Sequence, residues 1–280
     1  MSSSARSGTP TALTIAGSDS GGGAGIQADL KAFARCGVHG LCAITAITAQ
    51  STVAVSAIHA VPPEIVLAQV RAVLADIGVD AVKVGMLGSE DVALAVARAL
   101  DELPAGTPVV VDPVMVSESG AQLLSPEAAG ALVHEILPRA TVLTPNLPEA
   151  RALAGLSGGA GVDAGAEAEA LLRAVLELGP EIVVLTGGHR EQAVDLFLDS
   201  SDPEKVVSIA GERHADGAAH GSGCTHSSVL AAQLALGCTP LEAARTARAL
   251  AGGAVARGLR DIGAGAGPVD VIDLRRMRGG

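Results

Sequence analysis

The sequence predicts an α/β fold with a mainly parallel sheet covered by helices on both faces. Short runs of β-branched residues alternate with alanine-rich stretches whose apolar residues recur at helical spacing. This alternation is typical of parallel sheets, because parallel strands need crossover connections and helices supply them. Of the 280 residues, 49% are hydrophobic and 18% are charged, as in a globular protein. We therefore expect one large domain over 12–280, after a flexible tail at 1–11.

The predicted strands are six short apolar runs, and they lie at 12–17, 41–48, 81–85, 108–113, 140–145 and 181–188. Helical spacing predicts a helix in each interval between them, at 26–36, 63–77, 89–103, 125–137 and 166–179. Two further helices are predicted near the end of the sequence, at 223–236 and 240–257. The stretch 192–213 is interpreted as a β-hairpin around Asp202-Pro203. Glycine-rich composition predicts loops at 155–166 and 263–268.

Charge and composition exclude several classes of protein. The net charge is −11, and the chain has two Phe and no Trp or Tyr, which argues against a nucleic-acid partner. No apolar run approaches the roughly 18 residues of a membrane helix, and no apolar signal segment precedes Asp19. Four cysteines, at 36, 42, 224 and 238, form no CxxC pair and have no metal-ligand spacing. We therefore expect a reduced, cytoplasmic location and no membrane partner.

Polar and glycine-rich residues follow each of the six predicted strands. These segments are GSDSGGGAG (17–25), TAQST (48–52), GMLGS (85–89), DPVMVSESG (112–120), TPNLPE (144–149) and TGGH (186–189). In open α/β sheets, ligands bind beyond the carboxyl ends of the strands. The sequence therefore predicts a ligand site at this edge of the sheet.

The first of these segments does not match a nucleotide-binding fingerprint. Ile26 occupies the third glycine position of a GxGxxG frame that begins at Gly21, and no GxxxxGK[ST] occurs in the chain. The loop either contacts a substrate, with Asp29 beside it in the first turn of the next helix, or is a tight turn in which Asp29 complements the helix dipole. The residues alone leave both interpretations open.

Asp112, Asn146 and Glu149 suggest a metal site. Asp112 ends an apolar strand, and a carboxylate at that position can bind Mg²⁺ directly or through water. Asn146 and Glu149 stand three apart at the start of what should be a helix, although periodicity predicts none there, and an ordinary capping box would also explain them. Together the three residues predict the oxygen ligands that metal-assisted phosphoryl transfer requires.

HGSGCTHSS, residues 220–228, predicts an anion-binding turn at a helix N-terminus. The backbone N–H groups of Gly221, Ser222, Gly223 and Cys224 can point at an anion with the helix dipole behind them. A thiol in that first turn is expected to have a depressed pKa and to accept a proton from a hydroxyl group. The alternative is that Cys224 is a small packing residue and Ser222 an N-cap.

Two further residues at strand ends suit a flat heterocycle. The amide of Gln50 can both donate and accept hydrogen bonds, and Met86 can pack on a ring, although most methionines are core residues. His189, His220 and His226 border the predicted site without an assigned role. Cys36, Cys42 and Cys238 are interpreted as packing residues.

In chain order, these motifs resemble the hydroxymethylpyrimidine/phosphomethylpyrimidine kinase family of thiamine biosynthesis, within the ribokinase-like superfamily. The resemblance rests on AGSDSGGGAGIQADLKAF, ITAQST, VKVGMLGS, VVVDPVM, LTPNLPEA, VLTGGH and HGSGCTHSSVLAA, and covers about residues 12–259. It implies a three-layer αβα sandwich that uses MgATP to phosphorylate a pyrimidine hydroxymethyl group and then the resulting monophosphate. It also implies a homodimer.

The resemblance implies a role for each matching residue. Those expected to contact the pyrimidine are Gly17, Asp29, Gln50 and Met86. Asp112 and Glu149 are expected to organise Mg²⁺. The residues expected on the ATP side are Asn146, Thr186, Gly187 and Gly188. The turn from Gly221 to Gly223 would be the anion hole and Cys224 the catalytic base. Thr186 stands where family members often have Lys, and His226 also departs from the family pattern.

Three other functions remain as alternatives. A pyridoxal kinase of the same superfamily would act on a similar hydroxymethyl heterocycle. A non-catalytic pyrimidine-binding module would keep the pocket without ATP turnover. An NAD-binding oxidoreductase would need the glycine fingerprint and an acidic residue after the second strand, and the sequence has neither.

Overall fold

The computed structural model describes residues 8–118, 120–155, 164–187, 193–214 and 217–277. Within these ranges, nine strands form one sheet in the order β3-β2-β1-β4-β5-β6-β7-β8-β9. The strands are β1 (Thr11–Asp19), β2 (His39–Gln50), β3 (Val55–Ala60), β4 (Ala81–Val84), β5 (Val109–Val111), β6 (Val142–Leu143), β7 (Ile182–Leu185), β8 (Val194–Asp199) and β9 (Val207–Ala210). Strands β2, β1, β4, β5, β6 and β7 are parallel, and β3, β8 and β9 pair antiparallel at the two edges.

Helices cover both faces of this sheet, as the sequence predicts. They are α1 (Gly25–Arg35), α2 (Pro63–Asp76), α3 (Glu90–Asp101), α4 (Pro126–Ala131), α5 (Leu147–Leu153), α6 (Ala164–Leu176), α7 (Ser222–Ala235), α8 (Pro240–Ala256) and the short α9 (Leu274–Met277). Successive strand residues point to opposite faces, so Leu13 packs in one core with α2 to α6 while Ala12 packs in another with α1, α7 and α8. The three-layer αβα prediction is confirmed.

The structure differs from the predicted elements mainly at the edges and at helix ends. Strand β3 was not predicted, because five of its six residues are exposed and no apolar alternation marks it. The predicted helix at 125–137 is α-helical only to Ala131. It continues as a π-helix over Leu132–Ile136 and as a 3₁₀-helix over Leu137–Arg139, since Pro138 cannot continue a regular helix. Helix α1 begins at Gly25, which places Asp29 beyond its first turn. The hairpin prediction is confirmed by β8 and β9.

Some predictions fall outside the described residues or are not tested. Residues 1–7 of the predicted tail and 156–163 of the predicted loop lie outside them. The assignment of 12–280 to one domain stays a prediction. In the part of the chain that the structure describes, no helix is both long and apolar enough to cross a membrane.

Candidate active site

A cavity of about 410 Å³ opens at the carboxyl ends of the parallel strands. Strand order reverses between β1 and β4, since β2 and β3 lie on one side and β5 to β9 on the other. Ligand sites of open α/β sheets form at such a switch point. The structure brings most of the predicted site residues to this cavity: Gly17, Gln50, Met86, Asp112, Asn146, Glu149, Thr186, Gly221, Ser222, Gly223 and Cys224.

The glycine loop after β1 is held by Asp19, which the sequence analysis did not single out. One carboxylate oxygen accepts from the N–H of Gly21 at 2.7 Å, and the other accepts from Gly23 at 3.0 Å and Ala24 at 2.8 Å. Burial alone would raise the pKa of Asp19, but hydrogen bonds from His220 and from the loop hold it below its ordinary value. Nε2 of His220 lies 3.1 Å from Asp19 Oδ2, so the pair joins the loop to the HGSGC turn.

Asp29 does not reach the cavity, so the expectation that it contacts a substrate is not met. Its side chain is fully buried. Its carboxylate accepts from Thr14 Oγ1 at 2.6 Å, from Ser228 Oγ at 2.7 Å and from Lys83 Nζ at 3.0 and 3.2 Å. These partners satisfy the carboxylate inside the protein, between α1, β1, β4 and α7.

Lys83 is a functional candidate that the sequence analysis missed. It lies in β4, is fully buried, and lines the cavity floor. Nζ lies 3.0 Å from Asp29 Oδ1 and 3.8 Å from Asp112 Oδ2. Burial alone would lower the pKa of Lys83, but the charges of Asp29 and Asp112 raise it above its ordinary value. The sequence could have indicated this role, because Lys83 lies inside the apolar run AVKVG and a buried ammonium group needs paired anions.

The HGSGC turn opens α7 as predicted, but its thiol differs from the prediction. Gly221 is the N-cap at φ +82°, so Ser222 is the first helical residue and not the cap. Burial raises the pKa of Cys224 to about 12; Lys83 opposes this shift, whereas Asp112 and Asp29 add to it. The expected depressed pKa is therefore wrong, and Cys224 is a thiol at neutral pH.

Asp112 and Glu149 are two carboxylates that repel each other at the cavity. Burial raises the pKa of Asp112, against the effects of Lys83 and of Ser227, whose Oγ lies 3.0 Å from Asp112 Oδ2. Burial, followed by the charge of Asp112, raises the pKa of Glu149 to about 8. Glu149 also forms a capping box with Asn146, with both hydrogen bonds at 2.9 Å, so the ordinary interpretation of this pair is confirmed.

These two carboxylates fit a divalent cation that is shared with a phosphate group. No group of three or more His, Cys, Asp or Glu among the described residues could hold a metal by itself. Mg²⁺ commonly binds one or two carboxylates and takes its other ligands from water and substrate phosphates. Two hard oxygen donors that repel each other suit this arrangement.

Comparison with known proteins agrees with this geometry. Residues 19–270 match the family model described as phosphomethylpyrimidine kinase. The chain belongs to this family. The kinase is 45% identical over 265 residues to the hydroxymethylpyrimidine/phosphomethylpyrimidine kinase of Rhizobium meliloti (strain 1021). The aligned region covers 93% of this chain and 96% of that protein.

Two solved structures resemble the kinase closely. Phosphomethylpyrimidine kinase from Clostridium difficile 630 has a TM-score of 0.74 at 38% identity, over 86% of this chain and 96% of that chain. The pyridoxal kinase from Staphylococcus aureus in complex with AMP-PCP and pyridoxal has a TM-score of 0.84 at 32% identity, over 96% of both chains. The family resemblance inferred from the motifs is confirmed.

A second buried charge cluster lies on the side of the cavity formed by the end of β7. The N–H of Gly187 donates to Asp195 Oδ1 at 2.8 Å, and Nε2 of His226 lies 3.2 Å from Asp195 Oδ2. Arg248 Nη1 lies 3.6 Å from the same carboxylate. The cluster therefore holds the turn that follows Thr186 in the kinase. Gly188 and His189 lie outside the described residues.

Proposed function

We propose that the kinase phosphorylates 4-amino-5-hydroxymethyl-2-methylpyrimidine and then its monophosphate, with ATP as the donor, in thiamine biosynthesis. One observation carries the proposal: Asp112 and Glu149 face the same cavity as the Gly221–Cys224 turn. Phosphoryl transfer needs a cation site and a preorganised set of N–H donors, and both must contact the same bound phosphate chain. The family match supports the choice of a pyrimidine substrate.

The turn at the start of α7 would bind the phosphoryl group in transfer. N–H groups in the first turn of a helix have no helical partner and lie at the positive end of the helix dipole. In this turn the N–H of Ser222 donates to the carbonyl oxygen of Ala219 at 2.9 Å, which leaves those of Gly223 and Cys224 for the phosphoryl group. Negative charge that develops on the equatorial oxygens is stabilised by donors that are already in place. Gly221 allows this arrangement, because the left-handed N-cap conformation at φ +82° suits glycine.

Asp112 and Glu149 would hold Mg²⁺, and Asn146 and Thr186 would lie beside the nucleotide. The bound cation would neutralise charge on the phosphate oxygens. The carboxylates orient such a cation because the capping box fixes Glu149 and Ser227 fixes Asp112. A module that only binds a pyrimidine has no need of two metal-binding carboxylates, so their presence on one cavity favours a kinase.

Cys224 is the proposed proton acceptor for the substrate hydroxyl group. Because its pKa is raised, Cys224 must first release its own proton to solvent, and the neighbouring charge of Lys83 favours that loss. Asp112, which lines the same cavity, is the alternative proton acceptor. Both have a raised pKa, and the choice between them is open to experiment.

The experiment measures ATP consumption with hydroxymethylpyrimidine, its monophosphate and pyridoxal, for the wild type and Cys224→Ala. We expect turnover of both pyrimidines, and a loss of at least about 10²-fold in the variant if the thiol is the base. Turnover in the variant within about threefold of wild type would show that Cys224 is not the base and would favour Asp112 as the proton acceptor. Pyrimidine binding without ATP consumption would contradict the kinase assignment and favour a binding module.

Pyridoxal phosphorylation is a second candidate function. The pyridoxal kinase structure aligns with a higher TM-score than the phosphomethylpyrimidine kinase structure, 0.84 against 0.74, and covers more of this chain. Pyridoxal turnover at a kcat/KM comparable to that of the pyrimidine would favour a kinase of both substrates. Turnover of pyridoxal alone would overturn the pyrimidine assignment.

The resemblance also supports a cytoplasmic homodimer as part of this proposal. The oligomeric state is measured by sedimentation velocity of the purified chain. A monomer at micromolar concentration would contradict the homodimer.

A further inference from the structure

Two adjacent serines on α7 contact two different carboxylates beneath the cavity. Ser227 Oγ lies 3.0 Å from Asp112 Oδ2, and Ser228 Oγ lies 2.7 Å from Asp29 Oδ1. Both serines are fully buried. Neighbouring helical residues project about 100° apart around the axis, so two such contacts fix the rotation of the helix.

Asp29 and Lys83 connect these contacts to the sheet. The carboxylate on α1 accepts from Thr14 on β1, from Lys83 on β4 and from Ser228 on α7. Lys83 also lies 3.8 Å from Asp112, at the end of β5, so one ammonium group lies between the two carboxylates. Burying these charges is costly unless each has close partners, and removing one partner leaves an uncompensated charge.

We propose that Asp29, Lys83 and Ser228 form a positioning network that sets the first turn of α7, and with it Cys224 and the Gly221–Gly223 turn, relative to Asp112. Asp29 and Ser228 lie outside the cavity lining, so they act through other residues and do not contact the substrate. The proposal rests on the proposed kinase function for its kinetic consequences. Its structural content, the placement of α7, is measurable without turnover.

Ser228 is the best residue for testing the network by substitution. Ser227 lies within 3.1 Å of the carbonyl oxygens of Gly223 and Cys224 as well as near Asp112, so its single proton has several acceptors. The hydroxyl of Ser228 instead donates to Asp29 Oδ1 at 2.7 Å. Thr225 offers a matched control on the same helix: it is fully buried, and its hydroxyl has no hydrogen-bond partner among the described residues.

The test compares Ser228→Ala with Thr225→Val, since each removes one buried hydroxyl from α7. For Ser228→Ala we expect kcat to fall about tenfold with KM values changed less than about threefold, because the reacting groups are displaced more than the binding surface. Backbone amides of residues 221–226 should exchange hydrogen for deuterium faster than in the wild type. Thr225→Val should leave both measurements unchanged, and Ser228→Thr should restore much of the lost kcat.

Two results would overturn the proposal. One is a Ser228→Ala protein with reduced stability but with kcat per folded molecule within twofold of the wild type, which would make the network purely structural. The other is exchange at 221–226 equal to that of Thr225→Val. If Ser228→Ala does not fold, Ser228→Cys takes its place with smaller changes expected in the same direction, because a thiol is a weaker hydrogen-bond donor to Asp29. If the wild type phosphorylates no pyrimidine, the proposed function fails, and amide exchange alone then decides the positioning proposal.

Discussion

Cys224 shows two opposing effects on a single side chain. The N-terminus of α7 favours a thiolate, but a helix dipole contributes about 0.3–1 kcal/mol, which is less than one pKa unit. Burial can raise a pKa by as much as about 3–5 units. The larger effect wins, so the pKa of Cys224 rises to about 12 although Lys83 is nearby. Position at a helix N-terminus alone is therefore a poor guide to the reactivity of a thiol.

The alkylation rate of Cys224 should therefore rise steadily with pH. With a pKa of about 12, the reactive thiolate increases about tenfold for each pH unit between 7 and 10. Iodoacetamide labelling of the peptide that contains Cys224, followed by mass spectrometry, measures this rate. A model cysteine peptide should instead approach a plateau above about pH 9. A plateau for Cys224 near pH 8 would contradict the raised pKa.

At the scale of elements, the glycine loop and the start of α7 meet at one backbone contact. Gly221 has φ +82°, and a Cβ there would collide with the carbonyl oxygen of Gly23. Gly223, two residues later, has open space around the position of a Cβ. The two glycines of GSGC therefore have different structural requirements.

Gly221→Ala should lower Tm by more than about 4 °C, whereas Gly223→Ala should stay within about 1 °C of the wild type or gain slightly. The first variant combines backbone strain with a collision, and the second adds a better helix former at a helical position. Thermal unfolding followed by circular dichroism at 222 nm measures both. Equal Tm values for the two variants would show that the loop does not constrain Gly221.

The sequence was sufficient for most elements but not for the network beneath the site. Buried strands and amphipathic helices follow from local periodicity, whereas β3 escaped prediction because its side chains are mostly exposed at a sheet edge. Asp29 shows the limit most clearly. Its partners come from positions 14, 83 and 228, and the last lies 199 residues away, so no local pattern distinguishes a substrate ligand from a buried ion-pair partner.

At the scale of the whole molecule, the two apolar cores occupy the faces of the sheet, and the charged groups of the site lie at its carboxyl edge. The faces of the sheet are covered by helices, and the carboxyl edge collects Lys83, Asp112 and Glu149 around the cavity. Carboxylates held this way lower the stability of the folded protein when they ionise, since neither water nor a full set of partners solvates them. The site is therefore a source of pH-dependent instability.

Glu149→Gln should become more stable relative to the wild type as pH rises from 5 to 8.5. The folded pKa of Glu149 is about 8 against an ordinary 4.5, so the folded state holds the proton more tightly. The stability from this proton is complete below pH 4.5 and is lost as pH rises through 8. Glutamine cannot titrate and can keep the capping box with Asn146, so it avoids this loss.

Tm of both proteins across this pH range, by circular dichroism because the chain lacks Trp and Tyr, measures the effect. A difference of about 1 kcal/mol would shift Tm by about 2 °C in a chain of this size. Glu242→Gln is the matched control, because Glu242 occupies the same capping-box position on α8 but is exposed, and hydrogen bonds from Thr239 lower its pKa. Its Tm difference from the wild type should stay constant between pH 5 and 8.5. A constant difference for Glu149→Gln as well would mean that Glu149 titrates normally and that the two carboxylates are not strained against each other.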